Sequence, residues 1–357
     1  MVESADIVVI GGGVIGLSSA YHLAQAGAGK IVLLERQQLG AGSSGKSAAM
    51  LSLQFCRDAA TLAMARRAYS RYMAFAEEIG VAIDFHPIGW LSLATDASAA
   101  ALRQQAAVLQ QNGIATELLE PAEVAYRYPA LNVEDIVLAT FGADDGPFDP
   151  HMIMQGYARR ARALGVQILE GVRATGIHFS GEPGFHQGRV TGVATDHGVI
   201  ATGAVVNAAG PWAGEVARWV GVDLPLRNAA RTIVVTDPTP AIPAGYPFVE
   251  DLEVEWYLRP ELDGVLMGMG DRPVPPDYAG LDEEQVEAIV ERADHRAPAL
   301  DNARLQTAWT GIRPLTESGK PIVGSAGGPD GFLCNCGWGG VGLIRAPVAG
   351  EMLLFSL

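Results

Sequence analysis

The chain opens with Asp6-Ile7-Val8-Val9-Ile10-Gly11-Gly12-Gly13-Val14-Ile15-Gly16, and this stretch decides its fold. Four apolar residues in a row, too few for a helix, read as a buried parallel strand. Gly11, Gly13 and Gly16 form G-x-G-x-x-G at its carboxyl end. A helix follows, with Ile15, Leu17, Ala20, Leu23 and Ala24 on one face and Gly27 and Gly29 at its end. Lys30 to Leu34 reads as a second strand that closes on Glu35. Gly11 is expected to allow the tight turn, Gly13 to let backbone approach a pyrophosphate, and Gly16 to let helix and strand pack closely. The helix N-terminus offers N–H groups and a positive dipole end to phosphates. Glu35, 19 positions after Gly16, is placed to accept the hydrogen bonds of a ribose diol. A glycine triplet alone says little, but strand, triplet, helix, strand and acid in register predict a dinucleotide site. The plainer reading is a glycine-rich turn in an ordinary α/β domain, with Glu35 a solvated strand end.

The totals agree with a globular chain. Its 357 residues suggest about two domains, and 49% hydrophobic against 18% charged residues excludes disorder. A formal charge of −15 argues against nucleic acid or an anionic membrane surface as partner. The cysteines are Cys56, Cys334 and Cys336. That odd, low count gives no disulfide framework and points to a reducing, cytoplasmic setting. Cys334 and Cys336 are read as facing opposite sides of a predicted strand. With no further Cys or His beside them, no metal is expected. No basic segment and apolar run precede Asp6, so no secretory signal is expected. No stretch reaches the ~18 apolar residues of a membrane-spanning helix.

Further along, Gly40 to Ser47 forms a loop of small residues suited to a polar ligand or to plain solvent. Residues 57–80 read as one long helix and 82–94 as a strand pair around Pro87 and Gly89. Helices are expected over 97–111 and 121–126, and a turn cluster at Asp144 to Pro150. A helix from His151 to Leu164 and a strand from Val166 to Leu169 come next, then short β segments over 172–206. Ala204 to Asn207 is a second apolar strand that runs into small residues, Ala208-Ala209-Gly210, where backbone can approach a ligand. A helix is expected from Trp212 to about Val220. Residues 224–236 and 247–270 are strand-rich, 282–296 an acidic helix, and Arg304 to Ile312 strand. Short strands at 321–324 and 332–335 lead to a glycine-rich bend and a final helix. Nucleotide-type strands thus lie at both ends and in the middle, around two blocks at 81–143 and 216–304.

Four segments together resemble the D-amino-acid oxidase superfamily of flavoenzymes, which includes glycine oxidase, sarcosine oxidase and amino-acid dehydrogenases. They are Val9 to Gly16 with Glu35, Val206-Asn207-Ala208-Ala209-Gly210-Pro211-Trp212, Gly311-Ile312-Arg313-Pro314-Leu315-Thr316, and Gly337-Trp338-Gly339-Gly340-Val341-Gly342. The resemblance implies an α/β (α+β) two-domain fold. A Rossmann-type FAD-binding domain would take 1–80, 144–215 and 305–357. A substrate domain on a large mixed β-sheet would take 81–143 and 216–304. It also implies roles. Val14, Ile15, Glu35 and Arg36 match phosphate and adenosine-ribose contacts. Ser43, Ser44, Ala48, Ala49 and Met50 match the loop along pyrophosphate and flavin. Ala174 matches a backbone contact to adenine, and Gly210 belongs to the second matching segment. Gly337, Gly339, Gly340, Val341 and Gly342 match the loop facing the pyrimidine side of the isoalloxazine, where glycine-rich backbone before a helix offers N–H donors to a reduced flavin. The chain departs at Met50, where family members often carry Gly. It also lacks the Cys near Gly311–Thr316 and the His in Ser43–Ser47 that hold FAD covalently in some members, so non-covalent FAD is expected.

Arg313 matches the arginine that binds the substrate carboxylate, work for which a planar guanidinium fork is suited. It is read as sitting at a sharp turn before Pro314. Tyr257 matches a pocket tyrosine, or is a half-buried sheet tyrosine. Trp338 walls the pocket, or is a core tryptophan. Asp251, Glu253 and Glu255 read as an exposed strand face, or as a preference for a basic substrate. No histidine has acid–base spacing. The expected reaction is oxidation of the C–N bond of an amino acid or an N-methyl or secondary amino acid. Hydride passes to flavin N5, and the imine hydrolyses to a keto acid or aldehyde plus amine. The electron acceptor is O2 or another. Two alternatives stay open: a 2-hydroxy-acid-oxidising relative, and an FAD-carrying β-type subunit of a heteromeric sarcosine oxidase or dehydrogenase, suggested by Asn335 to Gly339. Homo- or hetero-oligomers fit either.

Overall fold

A computed structural model of the chain describes residues 2–181 and 188–356. In chain order, β1 (Ile7–Ile10), α1 (Val14–Gln25) and β2 (Ile31–Glu35) lead to a 3₁₀ turn at Ser43–Lys46 and to β3 (Met50–Leu51). Next come α2 (Ala59–Met73), α3 (Phe75–Ile79), β4 (Trp90–Ala94), α4 (Asp96–Gln111), β5 (Glu117–Leu119), α5 (Pro121–Arg127), β6 (Leu138–Gly142) and β7 (Gly146–Pro147). The middle of the chain forms α6 (Pro150–Ala163), β8 (Gln167–Glu170), β9 (Ala174–Phe179), β10 (Val190–Thr195), β11 (Gly198–Ala201), β12 (Ala204–Asn207) and α7 (Ala213–Arg218). The remainder is β13 (Leu226–Thr236), β14 (Phe248–Asp251), β15 (Trp256–Glu261), β16 (Gly264–Pro273), α8 (Glu283–Arg296), β17 (Leu305–Thr316), β18 (Ile322–Gly324), β19 (Phe332–Cys336) and α9 (Gly342–Leu353).

Two sheets organise these elements. The first has the order β18-β19-β12-β1-β2-β8, parallel except at the edge strand β18. Its strands are apolar on both faces and therefore need cover on both. Leu17 and Leu23 of α1, Ile153 and Tyr157 of α6 and Ala346 of α9 belong to the core on one side. The small sheet β11-β10-β9 and α7 supply the core on the other. The second sheet is mixed, in the order β17-β13-β16-β15-β14-β4-β6-β5. Its strands alternate. Val234, Val249, Trp256, Leu258 and Met267 pack with Ile289 and Ala293 of α8. Ile233, Phe248, Tyr257 and Leu266 turn the other way, toward Met50.

Several expectations change. Residues 57–80 are broken at Ala74 into α2 and α3. The predicted strand pair over 82–94 yields β4 alone. Pro87 has no N–H, and His86, Ile88 and Gly89 donate to the carbonyls of Pro147 and Asp145 instead. Pro314 makes no turn, because β17 runs through it to Thr316. As β17 is an edge strand, a missing N–H on its outer side costs no ladder bond. Cys334 and Cys336 point to one side of β19, as a two-residue spacing requires, and both lie in the core shared with α7. Within the expected 172–206 β region, residues 182–187 lie outside the described residues. Among the described residues, no helix is long and apolar enough to cross a membrane.

Asp251 is buried and not part of an exposed face. Its Oδ2 accepts from Arg292 Nη2 at 2.6 Å and from Arg296 Nε at 2.7 Å. Arg296 also donates to both oxygens of Asp135, at 2.8 and 2.9 Å. The network ties α8 to β14 and to the chain before β6.

Asp145, in the turn cluster, is a second buried acid. It accepts from Ser52 Oγ at 2.5 Å and from the N–H groups of Leu53 and Gln54, both at 3.2 Å. Burial pushes its carboxyl from 3.8 up to about 6. As pH falls through that value the folded chain takes up a proton that the unfolded chain refuses until about 3.8. This stabilisation is complete below the unfolded value and is lost as pH rises through the folded one. The stability of the wild type relative to Asp145→Asn should therefore rise by roughly 3 kcal/mol between neutral and acid pH. A difference that stays flat in urea titrations at the two pH values contradicts this.

Candidate active site

A cavity of about 700 Å³ lies between the two sheets. Two helices begin on its wall, α1 at Val14 and α9 at Gly342, and neither N-cap residue makes a side-chain bond to its helix, although Ser44 Oγ takes the first N–H of α1. Their positive dipole ends and remaining first-turn N–H groups therefore suit anionic groups in the cavity. Gly11 has φ +117°, and a Cβ there would lie 2.8 Å from the Ala208 carbonyl carbon. Gly16 does not line the cavity. A Cβ there would press on the Gly11 backbone, so its place is the packing of helix onto turn.

Every other residue matched to a cofactor or substrate role borders this one cavity, while Asp251, Glu253 and Glu255 do not. Glu35 Oε2 accepts from Gly12 N and Oε1 from Gln37 N, each at 2.8 Å. Each carboxylate oxygen can still accept a second bond. The Arg36 guanidinium lies 3.7 Å over the Trp212 ring, with Ala174 and Gly210 along the same cavity. Ser44 Oγ accepts from Val14 N at 3.0 Å. Ser43 Oγ donates to the Ile312 carbonyl, and Lys46 Nζ to the Thr310 carbonyl at 3.0 Å, so the small-residue loop is stitched to β17 beside Arg313. The Ala48 carbonyl accepts from Arg259 Nε at 3.0 Å. Past the loop, Ala49 is a left-handed non-glycine residue, at φ +51°, while Met50 of β3 pairs with Pro147 of β7 and borders the cavity.

Arg313 reaches from β17 to the glycine bend. A Cβ on Gly340 would sit 2.6 Å from Arg313 Cζ, so the absence of a side chain makes room for the guanidinium at the start of α9. Arg313 Nη1 donates to both oxygens of Asp271, at 3.1 and 3.3 Å. Arg231 Nε donates to the same Asp271 at 2.9 Å, and its Nη2 to Glu255 at 2.7 Å. Burial works against ionisation of Asp271, yet Arg313 and Arg231 hold its carboxyl below the ordinary range. Tyr257 leans over Gly268, where a Cβ would come within 2.5 Å of its Cζ, and its ring lies 5.9 Å from the Arg231 guanidinium. Burial pushes the Tyr257 hydroxyl up. Trp338 Nε1 donates to Asn335 Oδ1 at 2.8 Å, and Asn335 in turn donates to Ser19 and Ala349, so the indole is anchored inward.

Arg231, Asp271, Phe55, Trp90, Phe248 and Glu250 were not picked out from the sequence. The signal was there for two of them: a single charge in Ala229-Ala230-Arg231-Thr232-Ile233, and an acid beside aromatic Phe248 in a short strand.

The family model described as FAD dependent oxidoreductase matches residues 6–355. Sarcosine dehydrogenase, mitochondrial, of Homo sapiens is 32% identical over 98% of this chain and 39% of its own length. Dimethylglycine dehydrogenase, mitochondrial, of Rattus norvegicus is 31% identical over 98% of this chain and 42% of its own. The chain thus spans about two fifths of these relatives. L-proline dehydrogenase from P. horikoshii superposes with a TM-score of 0.87 at 26% identity, covering 99% of this chain and 93% of that one. With cavity, glycine turns and this match over nearly its whole length, the chain belongs to the DAO family of FAD-dependent oxidoreductases.

Proposed function

We propose that the chain binds FAD non-covalently along the cavity and oxidises the C–N bond of a carboxylate-bearing amine, an amino acid or an N-methyl or secondary amino acid. The residues present fit FAD. The N-terminus of α1 with Gly11 and Gly13, and Ser44 on its first N–H, suits a pyrophosphate, Glu35 a ribose, and the glycine bend before α9 an anionic ring. A Cβ on Gly210 would meet no atom within 4 Å, so backbone is open to a ligand there. Among the described residues no histidine borders the cavity. Cys336 does, but its hydrogen bond with Cys334 and its burial hold the thiol well above its ordinary range, a poor nucleophile for a flavin bond. When bound, FAD supplies the two-electron acceptor for the oxidation.

The chain's own residues bind and orient. Arg313 holds the substrate carboxylate by charge-assisted hydrogen bonds, while Asp271 fixes Arg313 relative to Arg231. No side chain needs to act as base if the amine enters neutral, and water hydrolyses the imine product. We place the FAD-binding part on the first sheet and its helices, and the substrate-binding part on the second sheet. Because β17 pairs with β13, residues 305–316 then go with the substrate part. The buried free thiols fit a reducing compartment.

The observation that carries this reading is the Arg313 guanidinium lying against Gly340 on the cavity wall. The test is anaerobic addition of D-, L- and N-methyl amino acids to the FAD-loaded chain, followed by air. Carboxylate-bearing amines should bleach the yellow protein and 2-hydroxy acids should not. A chain that takes up no FAD, or one bleached by 2-hydroxy acids alone, contradicts it.

A further inference from the structure

Part of the cavity wall carries a row of aromatic rings and one acid. Phe55 stacks beside Trp90 at 6.0 Å, Trp90 meets Phe248 at 4.0 Å, and Phe248 stacks on Tyr257 at 5.4 Å. Strand register builds the row. Trp90 pairs with Phe248, and one step along the face Ser92 pairs with Glu250 and Glu250 with Tyr257. Glu250 therefore leaves β14 on the same face as Phe248. The four rings and the acid all border the cavity.

Glu250 forms no ion pair among the described residues, and the Arg57 charge acts on it only from beyond ion-pair distance. Its Oε2 accepts long bonds from Trp90 Nε1 at 3.3 Å and Ser92 Oγ at 3.4 Å. Among the described residues no Lys or Arg pairs with it, whereas Asp251, Glu255 and Asp271 on neighbouring strand positions each hold an arginine. Burial pushes its carboxyl up, as expected of an acid awaiting a counter-ion. A carboxylate beside aromatic faces is a receptor for an ammonium group.

That ammonium is not the reacting amine. Arg313 on β17 and Glu250 on β14 stand four strands apart, or about 19 Å between backbones at the usual strand spacing. Arg313 leans toward β16, where it meets Asp271, but the reacting amine must be neutral to lose hydride, whereas a facing carboxylate would hold it protonated. We infer that Glu250, with Trp90, Phe248 and Tyr257, forms a subsite for a second positive charge on the substrate, so that the preferred substrates are amino acids with a distal ammonium group. The inference rests on the amine-oxidising reading and on Arg313 as carboxylate clamp.

The test compares lysine and ornithine with norleucine and norvaline, in both enantiomers, on the FAD-loaded chain. The wild type should favour the dibasic acids by about 100-fold in kcat/KM, the scale of a charge-assisted contact in a buried site. Glu250→Gln should bring that ratio to within about threefold of one, by lowering kcat/KM for the dibasic acids far more than for the neutral ones. Glu250→Asp, which keeps the charge but withdraws it, should fall between the two and serves if the glutamine variant does not fold. No preference in the wild type overturns the subsite. So does an equal loss for both classes, which marks a structural role. If no amine bleaches the flavin, the amine-oxidising reading fails by itself. Calorimetric binding of lysine against norleucine then decides the subsite, and equal affinities reject it.

Discussion

Replacing Arg313 by alanine should lower kcat/KM for carboxylate-bearing amines by about 100- to 1,000-fold, roughly 3–4 kcal/mol, and leave FAD bound. The loss should fall mainly on KM, because the guanidinium binds a group that keeps its charge throughout the reaction. Lysine at this position should recover only part of the loss, since an ammonium cannot offer the two parallel bonds of the fork. A stricter check leaves Arg313 untouched. Gly340→Ala adds a Cβ that would lie 2.6 Å from Arg313 Cζ and 2.9 Å from Nε. The far end of an arginine can move aside at little cost to the fold, so this variant should stay folded yet raise KM. If kcat/KM is unchanged in both variants, Arg313 is not the clamp.

Arg296→Ala should cost roughly 3–5 kcal/mol of stability, the range for breaking a buried ion pair from one side. Both Arg296 and Asp251 are 0% exposed. Removing the guanidinium leaves Asp251 with Arg292 as its one cation beside the Glu253 N–H, and strips both Arg296 bonds from Asp135. The large cavity left by the side chain adds to the loss. The thermal midpoint should drop by several degrees while KM changes little, because the network lies on the face of the second sheet turned away from the cavity. A midpoint within one degree of wild type would show that water fills the gap at no cost.

The two arginines show what could be read from the chain and what could not. The opening turn, Glu35 and the bend at Gly337–Gly342 were legible because each is local: strand, glycines and helix follow one another within a few residues. Arg313 was legible through family likeness, but its surroundings were not. Pro314 suggested a turn, and only the position of β17 at a sheet edge shows why the strand continues. Asp271 meets Arg313 and Arg231 across 42 and 40 residues of sequence. Glu250 meets Trp90 across 160. Such pairs arise from strand order and register, which no short pattern records. Asp251 was misjudged for the same reason, whereas Glu253 and Glu255 are exposed as expected. Asp251 faces α8 and is neutralised there, while its neighbour Glu250 faces the cavity, since adjacent strand residues point to opposite sides.

The central claim is that one cavity holds FAD between the starts of α1 and α9 and presents a substrate's acid group to it through Arg313. The most direct measurement is a crystal structure of the FAD-loaded chain with a simple unreactive carboxylate such as acetate. The flavin ring is expected beside Gly339–Gly342, with the acetate hydrogen-bonded to the Arg313 guanidinium above it. Acetate bound away from Arg313, or a flavin ring that does not reach the glycine bend, would contradict the account.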